Sequence, residues 1–146
     1  MINGYGRILL RLERYQEAEE QFRGVLQINE RYIPARVGLA WSLYHQGKKR
    51  EAFGELRYVK WKAKDPKVYP IGAALHHLGR YYLLEEDWKQ AESYFRQAIA
   101  HSPERYGNYW ELGQALLGQE RYDEALTAFE SARNRLPDNL GTESRV

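Results

Sequence analysis

The sequence has no cysteine and a single methionine among its 146 residues. The lack of cysteine excludes disulfides and thiolate metal sites but leaves the compartment open. No apolar run approaches the roughly 20 residues that a membrane-spanning helix needs. The first residues hold only the short apolar run Ile8-Leu9-Leu10 before charges follow, so no signal peptide is expected. We therefore expect a cytoplasmic protein, or a domain excised from a longer chain.

Motifs for catalysis and metal binding are also missing. His76 and His77 are adjacent, so on a helix they would point about 100° apart. His45 and His101 fall at predicted turns or helix ends. There is no His-Glu-x-x-His pair, no Asp-rich calcium loop, no phosphate-binding Gly-Lys-Ser/Thr element and no Gly-x-Ser-x-Gly turn. The sequence predicts no catalytic residues, no metal site and no cofactor, and hence a protein that is not an enzyme.

Charge is distributed unevenly, although the net charge is only +2. Residues 33–71 carry nine basic and three acidic side chains, and the run from Lys48 to Lys67 is interleaved with Tyr58 and Trp61. Such a run is typical of a surface for an acidic protein, anionic lipid or nucleic acid, but also of a solvated outer face. Because the later part of the chain turns acidic, we predict no nucleic-acid partner.

A repeat of 34 residues dominates what is present. The stretch from Glu85 to Pro103 returns in a second stretch that ends at Pro137. The matched positions are Trp88 with Tyr122, Ala91 with Ala125, Phe95 with Phe129, and Ala98 with Ala132. The same phase recurs upstream, at Gly6, Ala18 and Phe22 and again at Ala40, Ala52 and Leu56. A period of this length indicates a helical repeat array.

These residues resemble the tetratricopeptide repeat. The resemblance covers four units, at 1–32, 33–66, 72–105 and 106–139, and leaves a polar tail at 140–146. The second unit departs from the pattern, with Lys49 at the place of the aromatic residue and KVYPI inserted before the third unit. The resemblance implies an all-α fold, a right-handed superhelical α-solenoid of antiparallel helix pairs.

Apolar spacing supports this fold independently. Each unit splits into two stretches of helical period, joined by short polar turns that imply antiparallel neighbours. Gly79 and Ala91 are expected to be small because two helices approach closely there, with Phe95 filling the gap beside them. Pro34 and Pro70 stand where first helices begin, and Pro103 and Pro137 stand after second helices.

Function is expected on the face that packing leaves free. In this family the first helices of the units line a groove that binds peptides. The corresponding positions here are Asn3, Arg7, Val37, Trp41, Tyr44, His76, Arg80, Leu83, Trp110 and Gln114, flanked by Leu10 and Leu117. Trp, Tyr and Arg dominate binding hot spots. We predict that Trp41, Tyr44 and Trp110 hold apolar side chains of a partner protein or peptide. The alternative is that the tryptophans pack against neighbouring units.

Polar positions refine the partner. We expect Arg7 and Arg80 to bind carboxylates or carbonyls. The lysine-and-asparagine clamp for acidic chaperone tails does not match, because its asparagine would fall at Gly38. The predicted function is a protein-interaction scaffold. The alternatives are a recruiting domain of a larger enzyme, envelope or secretion complex, or a scaffold that self-assembles.

The two ends of the array motivate that last alternative. Arrays need polar terminal faces for solubility. Here the last helix is expected to expose an apolar strip around Leu126, Phe129 and Arg133. The expectation is either a part of a longer chain or a homo-oligomer formed by stacked copies. The final residues Ser144-Arg145-Val146 carry too little information to predict a binding peptide.

Overall fold

A computed structural model describes residues 2–65 and 69–137, with the side chains of Ile2 and Asn3 excepted. The predicted polar tail therefore lies outside the described residues. The described ranges form eight α-helices and no strand. Their bounds are α1 Ile2–Arg11, α2 Tyr15–Ile28, α3 Ile33–His45, α4 Lys49–Lys62, α5 Ile71–Leu84, α6 Trp88–His101, α7 Tyr106–Gly118 and α8 Tyr122–Asn134. The all-α prediction is confirmed.

The chain divides into two compact units. Unit 1 is Met1–Pro70 and contains α1–α4, and unit 2 is Ile71–Val146 and contains α5–α8. Within each unit every helix packs on the next one, and the first and third helices also contact each other. Three-residue turns join the helices of each pair, as at Glu85-Glu86-Asp87. The four repeat boundaries drawn from the sequence stay a prediction.

Unit 1 is built around the ring of Phe22, which is fully buried. A Cβ atom added at Gly6 would lie 2.6 Å from Cζ of Phe22, and one added at Gly38 would clash with the same ring. Leu9, Leu39 and Leu43 complete this core. Gly38, where an acid-binding clamp would need asparagine, is therefore small because Phe22 occupies the space of a side chain.

Unit 2 repeats this arrangement around Phe95. The ring is fully buried, and a Cβ atom added at Gly79 would lie 2.7 Å from its Cε1. Ala91 and Ala98 are also buried, as the apolar stripe predicts. The predicted close approach of α5 and α6 at Gly79, filled by Phe95, is thus confirmed.

The helix ends follow local chemistry. Pro34 occupies the first turn of α3, and Pro70 directly precedes α5, where a missing N–H costs little. The side chain of Asp87 caps α6 by accepting from the backbone N–H of Gln90 at 3.3 Å. Pro103 lies two residues after the end of α6 and cannot continue the helix.

Candidate partner-binding surface

The predicted site residues of unit 2 lie on α5 and α7. His76 is half-buried, and its Nδ1–H donates to Oδ1 of Asn108 at 2.7 Å. Burial lowers the pKa of His76 and outweighs the opposite effect of this hydrogen bond. His76 also meets the ring of Phe95 edge-on, with the centroids 5.8 Å apart. The neutral imidazole therefore joins α5 to α7 rather than standing free for a ligand.

Arg80 and Glu111 form the polar part of this surface. Nε of Arg80 lies 3.8 Å from Oε1 of Glu111, and the arginine is the more exposed of the two. Burial raises the pKa of Glu111, and the charge of Arg80 opposes that effect. The pair presents a donor and an acceptor side by side, which is what the C=O and N–H groups of a peptide backbone need.

A depression with a volume of about 490 Å³ lies beside this pair. Its apolar lining is Leu83, Trp88, Trp110 and Leu117, and its polar lining is Glu111 and Gln114. The side chains of Trp110 and Leu117 are 52% and 43% exposed. Three of the predicted residues, Leu83, Trp110 and Gln114, are thus brought together here, all within unit 2. The ring of Trp110 also packs edge-on against Phe129, with the centroids 4.8 Å apart.

Trp88 is a lining residue that the sequence-based reasoning assigned to packing alone. Its ring lies over Gly118, where an added Cβ would clash with it, and the side chain stays half-buried. The signal in the sequence was the Leu117-Gly118 pair, which puts a small residue 30 positions after the tryptophan. Pairing across that distance becomes visible only when α7 is packed on α6.

The predicted residues of unit 1 lie on α1 and α3. Arg7 is exposed on α1, whereas Val37, Trp41 and Tyr44 are half-buried on α3. Trp41 meets Tyr44 edge-on at 5.9 Å, and Tyr44 packs against the core of the unit. The side chain of Asn3 lies outside the described residues. The exposed aromatic surface of unit 1 is therefore smaller than that of unit 2, because part of it packs inside the unit.

The described part of the basic run lies on α4 and the turns on either side of it, and Lys67 falls outside the described residues. Arg36 sits 4.4 Å from the ring centre of Tyr58, and Lys62 sits 4.5 Å from that of Trp61. Arg36 also pairs with Glu55 at 3.1 Å. The two aromatic rings of the run are thus covered by cations of the same unit, which reduces the area on which a nucleotide base could stack.

Family models decide the identity of the repeats. Tetratricopeptide repeat models match residues 82–141 and residues 2–33. The chain belongs to the tetratricopeptide repeat family. Tetratricopeptide repeat proteins are protein-interaction scaffolds, generally without catalysis of their own, and this chain is a protein-interaction scaffold. The recruiting and self-assembling roles are not favoured as its primary function.

Individual relatives agree with this assignment. Anaphase-promoting complex subunit 6 of Arabidopsis thaliana is 28% identical over 135 residues, which is 91% of this tetratricopeptide repeat chain and 23% of the relative. The chain thus spans less than a quarter of the length of that protein.

Solved structures show the same fold. One is MamA of Desulfovibrio magneticus, from residue 41 to its end, with a TM-score of 0.72 at 21% identity. The match covers 92% of this chain and 73% of the MamA chain. A thermophilic tetratricopeptide repeat protein of Thermus thermophilus has a TM-score of 0.75 at 22% identity, covering 99% and 77%.

Two further properties concern the described residues as a whole. None of the helices there has the length and apolar character required to cross a membrane. In the same residues, no group of three or more histidine, aspartate or glutamate side chains is placed to hold a metal ion.

Proposed function

We propose that the chain holds an apolar segment of a partner protein in the depression of unit 2. The observation that carries this proposal is the combination of four apolar walls with one polar pair. Trp110 and Leu117 keep about half of their surface exposed beside the Arg80–Glu111 pair. Exposed aromatic and apolar side chains next to a fixed polar group are typical of binding hot spots.

The polar pair sets what the partner must offer. Glu111 can accept a backbone N–H and Arg80 can donate to a backbone C=O, which fixes the direction of a bound segment. Both contacts are available from any sequence, so specificity comes from the side chains that enter the apolar part. We expect leucine, isoleucine, methionine or aromatic residues there. The surface of unit 1 around Trp41 adds a second contact area in this proposal.

A peptide selection on the whole chain tests the proposal. Display on the intact protein should enrich peptides with two or more apolar anchors. The change Leu117→Lys places a charge in the depression and should weaken binding of a selected peptide by about tenfold or more, since burying an unpaired charge is unfavourable.

A matched control is available on the neighbouring helix. Leu84 is 45% exposed at the end of α5 and does not line the depression. Leu84→Lys should therefore leave the dissociation constant within about twofold of the wild type. If Leu84→Lys weakens binding as much as Leu117→Lys, or if neither does, the site is elsewhere.

Proteins rather than nucleic acids are the proposed partners. Arg36 and Lys62 cover the aromatic rings of the basic run, and residues 106–146 carry four basic against seven acidic side chains. Retention on immobilised RNA at physiological salt concentration would contradict this part of the proposal.

A further inference from the structure

The described repeats use one recurring set of contacts to join a second helix to the following helix pair. In unit 1, Glu19 accepts from Nε2 of Gln46 at 2.9 Å and pairs with Lys48 at 3.3 Å. In unit 2, Glu92 accepts from Nε2 of Gln119 at 3.0 Å and pairs with Arg121 at 2.7 Å. The spacing between these residues and the repeat alanines is the same in both units.

A second contact recurs beside the first. The ring of Tyr15 stacks on His45, with the centroids 4.7 Å apart. At the equivalent positions of unit 2, the ring of Trp88 lies over Gly118. Helices α2 and α6 therefore each meet the next helix pair through an aromatic residue at their start and a glutamate four residues later.

Helix α8 exposes an apolar or aromatic side chain at each of these two positions. The place of Glu19 and Glu92 is taken by Leu126, which is 59% exposed. The place of Tyr15 and Trp88 is taken by Tyr122, which is 61% exposed. An open depression of about 550 Å³ continues this face along Leu126 and Phe129.

Helix α1 and the turn after it also differ from α3 and α7 at the positions that contact the preceding second helix. The residue equivalent to Gln46 and Gln119 is Leu12, which is 58% exposed. The same helix exposes Tyr5 and Ile8, whose equivalents Leu112 and Ala115 are buried in the core of unit 2. The residues equivalent to His45 and Lys48 are Arg11 and Arg14.

We propose that α1 of one copy of this chain docks on α8 of a second copy, in the register of the internal repeats. Leu12 then meets Leu126, so that an apolar pair replaces the internal glutamine–glutamate pair. Tyr122 meets Arg11, which exchanges ring stacking for a cation–π contact.

The charged positions beside these apolar pairs change as well. Arg96, which pairs with Glu92 and Glu124, corresponds to Glu130 on α8. Arg121, which also contacts both glutamates, corresponds to Arg14. In the docked pair Arg14 stands between Glu130 and Glu17, the equivalent of Glu124, so that one arginine faces two carboxylates and the apolar pairs carry the register. Because the contact joins different faces, it does not close on itself, and longer stacks form as concentration rises.

The test measures mass by sedimentation velocity over a dilution series of the full chain. The wild type should show a mass that rises with concentration. Leu126→Glu should weaken association by about tenfold or more, because its carboxylate is buried against Leu12. Adding Leu12→Gln to this variant recreates the internal pair and should restore association. Ile28→Glu, at a residue that is 81% exposed on α2, should have no effect.

A mixing experiment tests the direction of docking. Leu126→Glu blocks the α8 face and Leu12→Glu blocks the α1 face, so each variant alone should stay monomeric. An equal mixture should form a one-to-one dimer and nothing larger. A wild type that is monomeric up to about 1 mM, or a mixture without dimer, would overturn the proposal. So would a loss of association in Ile28→Glu equal to that in Leu126→Glu. Peptide binding by the unit 2 depression is measured separately, through Leu117→Lys, and does not depend on this result.

Discussion

At the scale of single residues, the turn inside each helix pair carries a backbone cost. Glu13, Glu86 and Glu120 have φ values of 60°, 59° and 59°, and Gly47 has 83° at the equivalent position. A side chain in this left-handed region costs about 1 kcal/mol relative to glycine. The sequence alone did not reveal this, because three of the four turns place glutamate where glycine would be the usual choice.

Gly47→Ala tests that cost. The variant should lose about 1 kcal/mol of unfolding free energy, because alanine resists the left-handed conformation. Gly54→Ala is the matched control, since Gly54 lies inside α4 with nothing within 4 Å of an added Cβ. It should gain roughly 0.5–1 kcal/mol from helix propensity. Urea unfolding of both variants measures the two changes, and equal signs would contradict the assigned turn conformation.

His77 gives the chain a predicted sensitivity to acid. Burial, followed by the charges of His76, Arg80 and Arg105, lowers the pKa of His77 from 6.5 to about 3. Below pH 6.5 the unfolded chain takes up a proton that the folded chain does not, so stability falls as the pH falls. Between pH 7.5 and pH 5 the loss from this group is about 2 kcal/mol.

The variant His77→Gln isolates this effect. Burial raises the pKa of Glu111, so this group makes stability rise as the pH falls, opposite to His77. Both proteins contain Glu111, so its contribution cancels in the comparison. Urea midpoints measured from pH 7.5 to pH 5 should fall less steeply in His77→Gln than in the wild type. Parallel curves would show that His77 does not control the slope.

At the scale of helices, packing was the part that the sequence could predict. The repeat of alanine, glycine and phenylalanine positions reports contacts inside one helix pair, and the short turn fixes which residues meet. The roles of Trp88 and Leu126 could not be predicted from the sequence, because each depends on contacts with a residue in another helix pair. The role of Leu126 emerges only after Glu92 is seen to bond with Gln119.

The contact of α5 with α6 can be tested at Gly79. Gly79→Ala places a methyl group within 2.7 Å of the Phe95 ring. The variant should therefore lose about 1–3 kcal/mol of unfolding free energy through overpacking. The double change Gly79→Ala with Phe95→Leu should lose less than the sum of the two single changes, because the smaller side chain makes room. Strict additivity in urea unfolding would contradict a direct contact.

At the scale of the whole molecule, family membership and function rest on different observations. The repeat period and the family models establish the helix pairs and the scaffold class. The surface that takes a partner is chosen by side chains outside the repeat pattern. Leu83, Trp110 and Gln114 were predicted from their places on the first helices, and they line one depression. Val37 and Tyr44 were predicted on the same basis, and Tyr44 also packs on the core of unit 1.

The four tryptophans provide the most direct test of the proposed partner site. Indole N–H signals of the whole chain can be assigned by single substitutions and followed by NMR while a selected peptide is added. We predict that the signals of Trp88 and Trp110 shift in saturable fashion with one dissociation constant. Trp41 reports separately on the surface of unit 1, and the signal of Trp61, which is exposed on α4, should stay unchanged. A peptide that binds tightly and shifts Trp61, while leaving Trp88 and Trp110 in place, would contradict the proposed site.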